Sequence, residues 1–502
     1  MDVLVGVDLG TSSVKAVVMQ RDGRLLAAAG EETALHTPQP GWAEQDPQDW
    51  LAASLRALRR AVAESGVSPQ QVAGVGVTGQ MHSLVCLSGA GEVLRPAILW
   101  ADSRSQPQVD ALLRSPGADA LAEWTGNPLA AGMMLVSWLW LRENEADTAR
   151  RTRWLVSPKD YLRWQLSGDL STEDSDASAT LLFDPFERYW SQPVLDLAGL
   201  REENLPYVNL SARAAVGLRP SMAAACGLRA GTPVVFGASD QAARAVGQGL
   251  LDEGWAAVTI GTGGQIFAPV ADARAAARQA PHRKAVHLFC HALPDRWHLQ
   301  AATLSAGLSL RWLRDQLWPG SDYASLAEAA QAVEAAQEGL FFLPHLAGER
   351  TPHLDSSVRG LFAGLGLAHQ RAHLTRAVME GVVFSLRQGL EALTTAGAPL
   401  EGLLLAGGAL RHPLWVRLAA DILGQAVYTT EREEITACGA AMLAGVGGGV
   451  YADVRAAVEQ AVPPLGQPVL PDPQRVEQYA QAYARYCRLY PALRQAGFAR
   501  PA

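Results

Sequence analysis

The chain has 502 residues, of which 49% are hydrophobic and 18% are charged, so it is long enough to bury two sizeable cores. Its formal net charge of −8 at pH 7 argues against nucleic acid or an anionic membrane as a partner. The five cysteines form no C-x-x-C pair, which argues against a metal cluster and favours a reducing compartment. The start of the chain lacks a basic signal-peptide region, and the most apolar segment, residues 130–141, is too short to span a bilayer. We therefore expect a cytoplasmic protein.

A strand–turn–strand motif opens the chain. Residues 5–13 read V-G-V-D-L-G-T-S-S, and strands are predicted over residues 3–7, 14–20 and 25–29. The Gly-Thr turn exposes backbone N–H groups that suit a phosphate, and Thr11 and Ser13 offer hydroxyl donors. Asp8 has the wrong charge for a phosphate unless a metal lies between them. The motif therefore points to metal–ATP chemistry.

The rest of the first half alternates helices and strands. Asp46-Pro47 predicts a helix start and Gly66 predicts its end. Buried strands are predicted over residues 72–77 and 97–100, and a further strand over residues 233–237 leads into a helix that ends near residue 249. Residues 250–255 form the predicted crossing into the second half.

The second half repeats the opening motif. Residues 257–264 read A-V-T-I-G-T-G-G, again an apolar strand that breaks into a Gly-Thr turn. A long amphipathic helix follows around residues 374–386, then a strand over residues 402–405 that breaks at Gly407-Gly408, and a proline-rich connector to a last helix over residues 476–493. This mixture indicates α/β domains, and one turn in each half predicts a nucleotide held between two related domains.

Asp240 is the strongest candidate for chemistry. It lies at the first turn of a predicted helix, directly after a strand. Such an acid more often serves only the helix dipole. However, the carboxyl end of a strand in an open α/β sheet is where ligands bind, and a kinase needs an acid to orient the attacking hydroxyl and accept its proton.

Polar and aromatic residues follow two other strand ends. A Met81-His82 pair is usually ordinary packing, but a neutral imidazole there can bond sugar hydroxyls. Trp100 can stack on the apolar face of a sugar, although most tryptophans belong to the core. The polar stretch from His345 to His353, with Arg350 inside it, fits a structured loop and an active-site wall equally well.

Other nucleotide-binding patterns are missing. The Walker pattern G-x-x-x-x-G-K-[ST] is absent, and so are the H-R-D and D-F-G motifs of protein kinases. The Gly407-Gly408 step allows close backbone approach by a planar or phosphorylated ligand, but a diglycine alone is weak evidence. A chain of this kind that uses ATP must do so on another scaffold.

Several motifs in order resemble the FGGY carbohydrate kinases of the actin-like ATPase superfamily, from about residue 3 to the last helix. The most specific is G-L-F-A-G-L at residues 360–365, followed at the family spacing by H-L at 373–374 and A-V-M-E at 377–380. Within the family, the members that act on D-xylulose are matched best, through G-W-A-E-Q-D-P at 41–47, G-Q-M-H at 79–82, P-K-D-Y at 158–161 and G-E-R-T-P-H at 348–353.

The resemblance implies two ribonuclease-H-like domains around a central cleft, over residues 1–249 for the sugar and 250–502 for the nucleotide. It implies ATP and Mg²⁺ as cofactors, with the sugar as the other small-molecule partner, and a homodimer. Asp240 would accept the proton, and Asp8 would support the metal–phosphate site. The sugar would meet Met81, His82, Asp240 and Gln241, while Thr11, Gly261 and Thr262 would lie at the phosphates and Gly407 and Gly408 near the adenosine.

Two positions depart from the family pattern. Ser137 stands where the family has a lysine, which puts one contact in doubt but not the proposed base. Gln241 stands where some relatives have asparagine, and its longer amide can shift sugar preference. Glycerol kinases carry an Arg-Glu pair in place of Met81-His82, which favours a ketopentulose over glycerol.

The expected activity is ATP-dependent phosphorylation of D-xylulose at its 5-hydroxyl. A family member acting on ribulose, glycerol or a deoxy sugar is the near alternative. An actin-like ATPase switch without a sugar substrate is disfavoured by the sugar-side motifs. A pseudokinase is disfavoured by the presence of both Asp8 and Asp240.

Overall fold

The computed structural model describes residues 2–115, 117–278, 285–430 and 432–498. The strands are β1 (Val3–Leu9), β2 (Ser13–Gln20), β3 (Leu25–Glu32), β4 (Glu44–Gln45), β5 (Val72–Gly79), β6 (Val85–Leu87), β7 (Ala97–Ile98), β8 (Trp154–Val156), β9 (Ser171–Glu173), β10 (Phe183–Asp184), β11 (Tyr189–Trp190), β12 (Tyr207–Asn209), β13 (Ala214–Gly217), β14 (Pro233–Val235), β15 (Ala238–Ser239), β16 (Gly254–Ile260), β17 (Gly264–Val270), β18 (His287–Cys290), β19 (Trp297–Thr303), β20 (Phe341–Leu343), β21 (Leu361–Ala363), β22 (Leu400–Ala406) and β23 (Val427–Thr429).

Helices cover the sheets and fill the connections. They are α1 (Pro47–Ser65), α2 (Gln106–Arg114), α3 (Ala118–Thr125), α4 (Met134–Asn144), α5 (Ala146–Arg151), α6 (Pro158–Ser167), α7 (Asp174–Ser178), α8 (Gln192–Ala198), α9 (Pro220–Cys226), α10 (Asp240–Gln248), α11 (Ala273–Arg278), α12 (Gly307–Trp312), α13 (Tyr323–Gln331), α14 (Arg371–Thr395), α15 (Pro413–Leu423), α16 (Ile435–Gly447), α17 (Val454–Ala461), α18 (Pro473–Tyr486) and α19 (Leu489–Gln495). Within the described ranges, no helix is both long and apolar enough to cross a membrane.

The two halves are built on sheets of the same design. In the first, β3, β2 and β1 form an antiparallel meander, and β5 and β14 continue the sheet parallel to β1. In the second, β19, β17 and β16 form the meander, and β22 and β23 continue it parallel to β16. Each sheet has the ribonuclease-H-like arrangement that the family resemblance implies, once in each half, and the predicted fold class is confirmed.

Helix α16, from the second half of the chain, packs on the first-half sheet and on α10 through backbone contact without intervening side chains. A Cβ atom placed on Gly6 of β1 or Gly76 of β5 would lie 1.9 Å from the carbonyl oxygen of Ala437 or Ala440, respectively. In the other direction, a Cβ on Gly439 would lie 1.8 Å from the Ala243 carbonyl oxygen of α10. Glycine is needed at these positions because the backbones approach too closely for any side chain.

Local signals predicted most elements, and the capping of α1 shows why. The Asp46 carboxylate accepts the Gln48 N–H at 2.8 Å, and Gly66 ends the helix at φ 66°. The last helix differs from the prediction, because it begins at Pro473 and breaks after Tyr486. Pro491 lacks an N–H and would clash with the carbonyl of Cys487 in a continuous helix.

Candidate functional site

The two Gly-Thr turns border one cavity of about 1360 Å³ between the halves. Each turn is closed by a backbone hydrogen bond of its first glycine: Gly10 donates to the Ser13 carbonyl, three residues on, at 3.1 Å, and Gly261 donates to the Gly263 carbonyl, two residues on, at 3.0 Å. The amides at the turn tips have no acceptor among the described residues; these are Thr11, Ser12, Thr262 and Gly263. Unpaired N–H groups at two opposed turns form a cradle for an anion.

Gly407 and Gly408 lie on the same cavity wall, where β22 ends. Gly407 has φ 95°, and a Cβ on it would lie 2.5 Å from the Ile260 carbonyl oxygen. Gly408 has open space on its Cβ side. The first glycine is therefore required by the fold, whereas the second leaves room for a ligand.

Asp8 lines this cavity, and Asp240 lies close enough for its charge to act on Asp8. Asp8 is partly buried on β1, and burial, followed by the charge of Asp240, raises its pKa to about 7. Asp240 is the first residue of α10, and burial raises its pKa to about 6 against the lowering effect of Arg244 and the Gln241 amide. The structure thus brings together two carboxylates from distant parts of the sequence, and the pKa values of both lie near neutral pH.

His82 presents a neutral imidazole with a defined tautomer. Its Nδ1 donates to the Ala179 carbonyl oxygen at 2.7 Å, which leaves Nε2 as an acceptor. Burial lowers the pKa of His82 to about 4. The residue has φ 71°, in the left-handed region, so the turn after β5 aims this side chain. Met81 beside it is buried in the core.

Thr11 differs from its predicted role. Its hydroxyl donates to Gln80 Oε1 at 3.1 Å and accepts the Trp100 indole N–H at 2.9 Å. The side chain therefore faces Gln80 and orients Trp100, and only the backbone amide remains for a phosphate. Ser12 and Ser13, in contrast, line the cavity. The pattern could not distinguish these orientations, because they depend on the neighbouring strand end.

Two residues of the second half contact predicted sugar-binding residues of the first half, and sequence reasoning missed one of the two. Phe289 of β18 lies 5.5 Å from His82, ring centroid to centroid. The Arg350 guanidinium lies 5.6 Å from the Trp100 ring centroid and donates to the Trp100 carbonyl at 3.5 Å. The sequence left Arg350 between a structured loop and an active-site wall, and the structure shows that it reaches Trp100 of the first half.

The two histidines flanking Arg350 are structural. Buried His345 bonds Glu349 Oε2 at 2.9 Å, and His353 stacks on Tyr490 at 3.7 Å between centroids. Ser137 is also away from chemistry: it is fully buried in α4, and its hydroxyl has no partner in the part of the chain that the structure describes. A lysine at that position would need a buried counter-charge.

Family models match most of the chain. The N-terminal domain of the FGGY family of carbohydrate kinases matches residues 3–247, and its C-terminal domain matches residues 256–448. The chain belongs to the FGGY family of carbohydrate kinases. It is a sugar kinase, and the resemblance drawn from its motifs is confirmed.

Relatives of this FGGY kinase align over nearly their whole length. A xylulose kinase of Escherichia coli (strain K12) is 36% identical, with 97% of this chain and 99% of the relative covered. A xylulose kinase of Bacillus subtilis (strain 168) is 34% identical, with 98% and 97% covered. The solved structure of a xyloylose kinase from Brucella ovis is 35% identical and superposes with a TM-score of 0.89. The match covers 98% of this chain and 100% of that chain.

Proposed function

We propose that this FGGY kinase transfers the γ-phosphoryl group of ATP to the 5-hydroxyl of D-xylulose. The observation that carries the proposal is the partly buried Asp240, whose charge acts on Asp8 in the wall of the cavity bordered by the two turns. The full-length similarity to proteins named xylulose kinase supports the choice of sugar.

In the proposed reaction, Asp240 is the general base. The 5-oxygen of the sugar forms a bond to the γ-phosphorus while the bond to the β–γ bridging oxygen breaks, and ADP leaves with that electron pair. The hydroxyl proton passes to the Asp240 carboxylate. A pKa of about 6 suits this task, because the group is ionised at neutral pH yet more basic than an ordinary carboxylate.

Asp8 is the proposed support for Mg²⁺. Asp8 lines the cavity beside the first Gly-Thr turn, and a carboxylate there would suit Mg²⁺, which takes oxygen ligands. Such an ion, when bound with ATP, neutralises charge on the phosphates. The charge of Asp240 raises the pKa of Asp8. The positive charges of Arg244 and Lys15 lower it and so help to keep Asp8 ionised.

The remaining roles follow the geometry of the cleft. Met81, His82, Gln241 and Trp100 would bind the sugar, and the amides of Thr11 and Thr262, together with Gly261 and Ser13, would bind the phosphates. Gly407 and Gly408 would receive the adenosine.

We also propose a domain boundary between residues 249 and 250, and a homodimer. We further propose a cytoplasmic location, which the five free thiols support.

The experiment is ADP release measured with a panel of D-xylulose, D-ribulose, L-ribulose, glycerol and gluconate. We expect the highest kcat/KM with D-xylulose. A clear preference for another member of the panel would overturn the sugar assignment, and strong ATP turnover without any of them would overturn the kinase proposal.

The substitution Asp240→Asn tests the proposed base, because asparagine has nearly the same shape as aspartate but cannot accept the proton. We expect a loss of kcat of about 10³-fold or more, with ADP binding retained as proof of folding. Asp196→Asn, at an exposed site on α8, is the matched control. Full activity in Asp240→Asn would contradict the assignment.

A further inference from the structure

Arg244 lies one turn after Asp240 on α10 and faces the same cavity as Asp8, Gly10 and Gly261. Its Nη1 donates to the Thr259 hydroxyl at 3.3 Å, and its Nε donates to the Thr436 hydroxyl at 3.4 Å. Both bonds are long and go to neutral oxygens, so they hold the guanidinium weakly. Three of its five N–H donors remain unused by these contacts.

The position of Thr259 shows where this guanidinium lies in the repeated architecture. Asp8 is two residues before Gly10 on β1, and Thr259 is two residues before Gly261 on β16. The two sheets share one design, so Thr259 is the counterpart of Asp8 in the second half. Arg244 thus extends from the helix of Asp240 to the base of the second turn, and it is close enough to influence both carboxylates.

Most cations of the cavity wall are already paired. Four of them bind carboxylates: Lys15 with Glu434 at 2.8 Å, Arg376 with Glu380 at 2.7 Å, Arg475 with Glu334 at 2.9 Å and Arg417 with Asp421 at 3.7 Å. Arg244 has no carboxylate within ion-pair distance among the residues that the structure describes. Asp8 and Asp240 are close enough for Arg244 to lower both pKa values, but neither forms a direct ion pair with it, so its remaining donors are available to an anionic ligand.

We infer that Arg244 is a further catalytic residue, whose guanidinium binds the γ-phosphoryl group as it passes from ATP to the sugar. The inference rests on the proposed kinase reaction. The bond to the β–γ bridging oxygen breaks and the bond to the sugar oxygen forms, while Asp240 takes the proton. Arg244 changes no bond: it neutralises charge on the equatorial oxygens, while its weak bonds to Thr259 and Thr436 keep the guanidinium at the cavity wall.

Arg244→Ala tests this role with D-xylulose and ATP. We expect kcat to fall about 100-fold or more, because a charge contact to the transferred group is lost. ADP affinity should change little, since ADP lacks the γ-phosphoryl group. Added guanidinium or methylguanidinium should restore part of kcat, whereas Arg244→Lys should be only partly active because an ammonium lacks the planar fork. Arg455→Ala, which removes an exposed arginine of α17, is the matched control.

A pH profile separates this role from an indirect one. If Arg244 acted only by keeping Asp240 ionised, the activity of Arg244→Ala would recover at high pH; the inference predicts a deficit that persists there. Recovery at high pH, or wild-type kcat in Arg244→Ala, would overturn it. If Arg244→Ala fails to bind ADP, Arg244→Lys and Arg244→Met decide by the same criteria. Failure of the wild-type protein to phosphorylate any sugar of the panel would instead overturn the proposed function.

Discussion

Asp8 and Asp240 are held close together with little access to water, and this has a consequence for the pH dependence of catalysis. Burial raises the pKa of Asp240 to about 6, and burial with the charge of Asp240 raises that of Asp8 to about 7. The positive charges of Arg244 and Lys15 oppose the rise at Asp8, and Glu434 adds to it.

We therefore expect kcat/KM for D-xylulose to rise with pH between about 5 and 7, because Asp240 acts in the ionised form. His82 does not contribute to this rise, since its pKa is lowered to about 4 and its ring stays neutral throughout. The measurement is initial rate against pH at saturating MgATP. A flat profile over this range would contradict the assigned roles.

The same raised pKa predicts a trade-off between function and stability. The carboxyl of Asp8 has an ordinary pKa of 3.8 and a folded-state pKa of about 7, so its ionised form destabilises the fold above pH 3.8 and does so fully above pH 7. Asp8→Asn should therefore lose activity yet gain about 1–2 kcal/mol in free energy of unfolding at pH 8.

Urea unfolding at two pH values checks this prediction. The gain should shrink at about pH 5, where Asp8 is protonated in the folded state. Asp2→Asn, at an exposed residue, should show no gain at either pH. Equal stability of wild-type protein and Asp8→Asn at pH 8 would contradict the argument.

At the scale of elements, α16 packs a segment of the second half of the chain against the first-half sheet. Its backbone contacts β1, β5 and α10 so closely that glycines replace side chains on all three surfaces. Its first turn also carries Thr436, a partner of Arg244. The geometry of the cleft therefore depends on this glycine-mediated packing.

Gly76→Ala should destabilise the protein by about 2–4 kcal/mol, because the new Cβ would lie 1.9 Å from the Ala440 carbonyl oxygen. Gly89→Ala is the matched control, since no atom lies within 4 Å of the added Cβ. Thermal unfolding of both variants is the measurement. A Gly76→Ala protein as stable as the control would show that α16 can move away without cost.

At the scale of the whole molecule, the predicted sugar site draws on residues of both halves. His82 and Trp100 come from the first half, while Phe289 and Arg350 of the second half lie against them. A nucleotide that draws the halves together would therefore also improve the sugar site. Binding of the two ligands should be coupled, and the coupling must be reciprocal.

We expect the Kd of D-xylulose to fall at least about five-fold when ADP is present, and the Kd of ADP to fall by the same factor when D-xylulose is present. Arg350→Ala should reduce this factor because it removes a contact across the halves, whereas Arg455→Ala should retain it. Isothermal titration gives all of these constants. Identical sugar affinity with and without ADP would contradict the coupling.

The sequence by itself determined the elements whose signals are local. The two strand–turn–strand motifs, the capped helix α1 and the helix that begins at Asp240 follow from turn glycines, caps and periodicity within a few residues. Tertiary structure alone decided that the Thr11 hydroxyl faces Trp100. It also decided that Arg350 reaches Trp100 while the neighbouring histidines do not, and that Arg244 bonds Thr259, the counterpart of Asp8 in the second half. These features arise where chain segments far apart in sequence pack together, and the direction of a long side chain there depends on the surfaces that surround it.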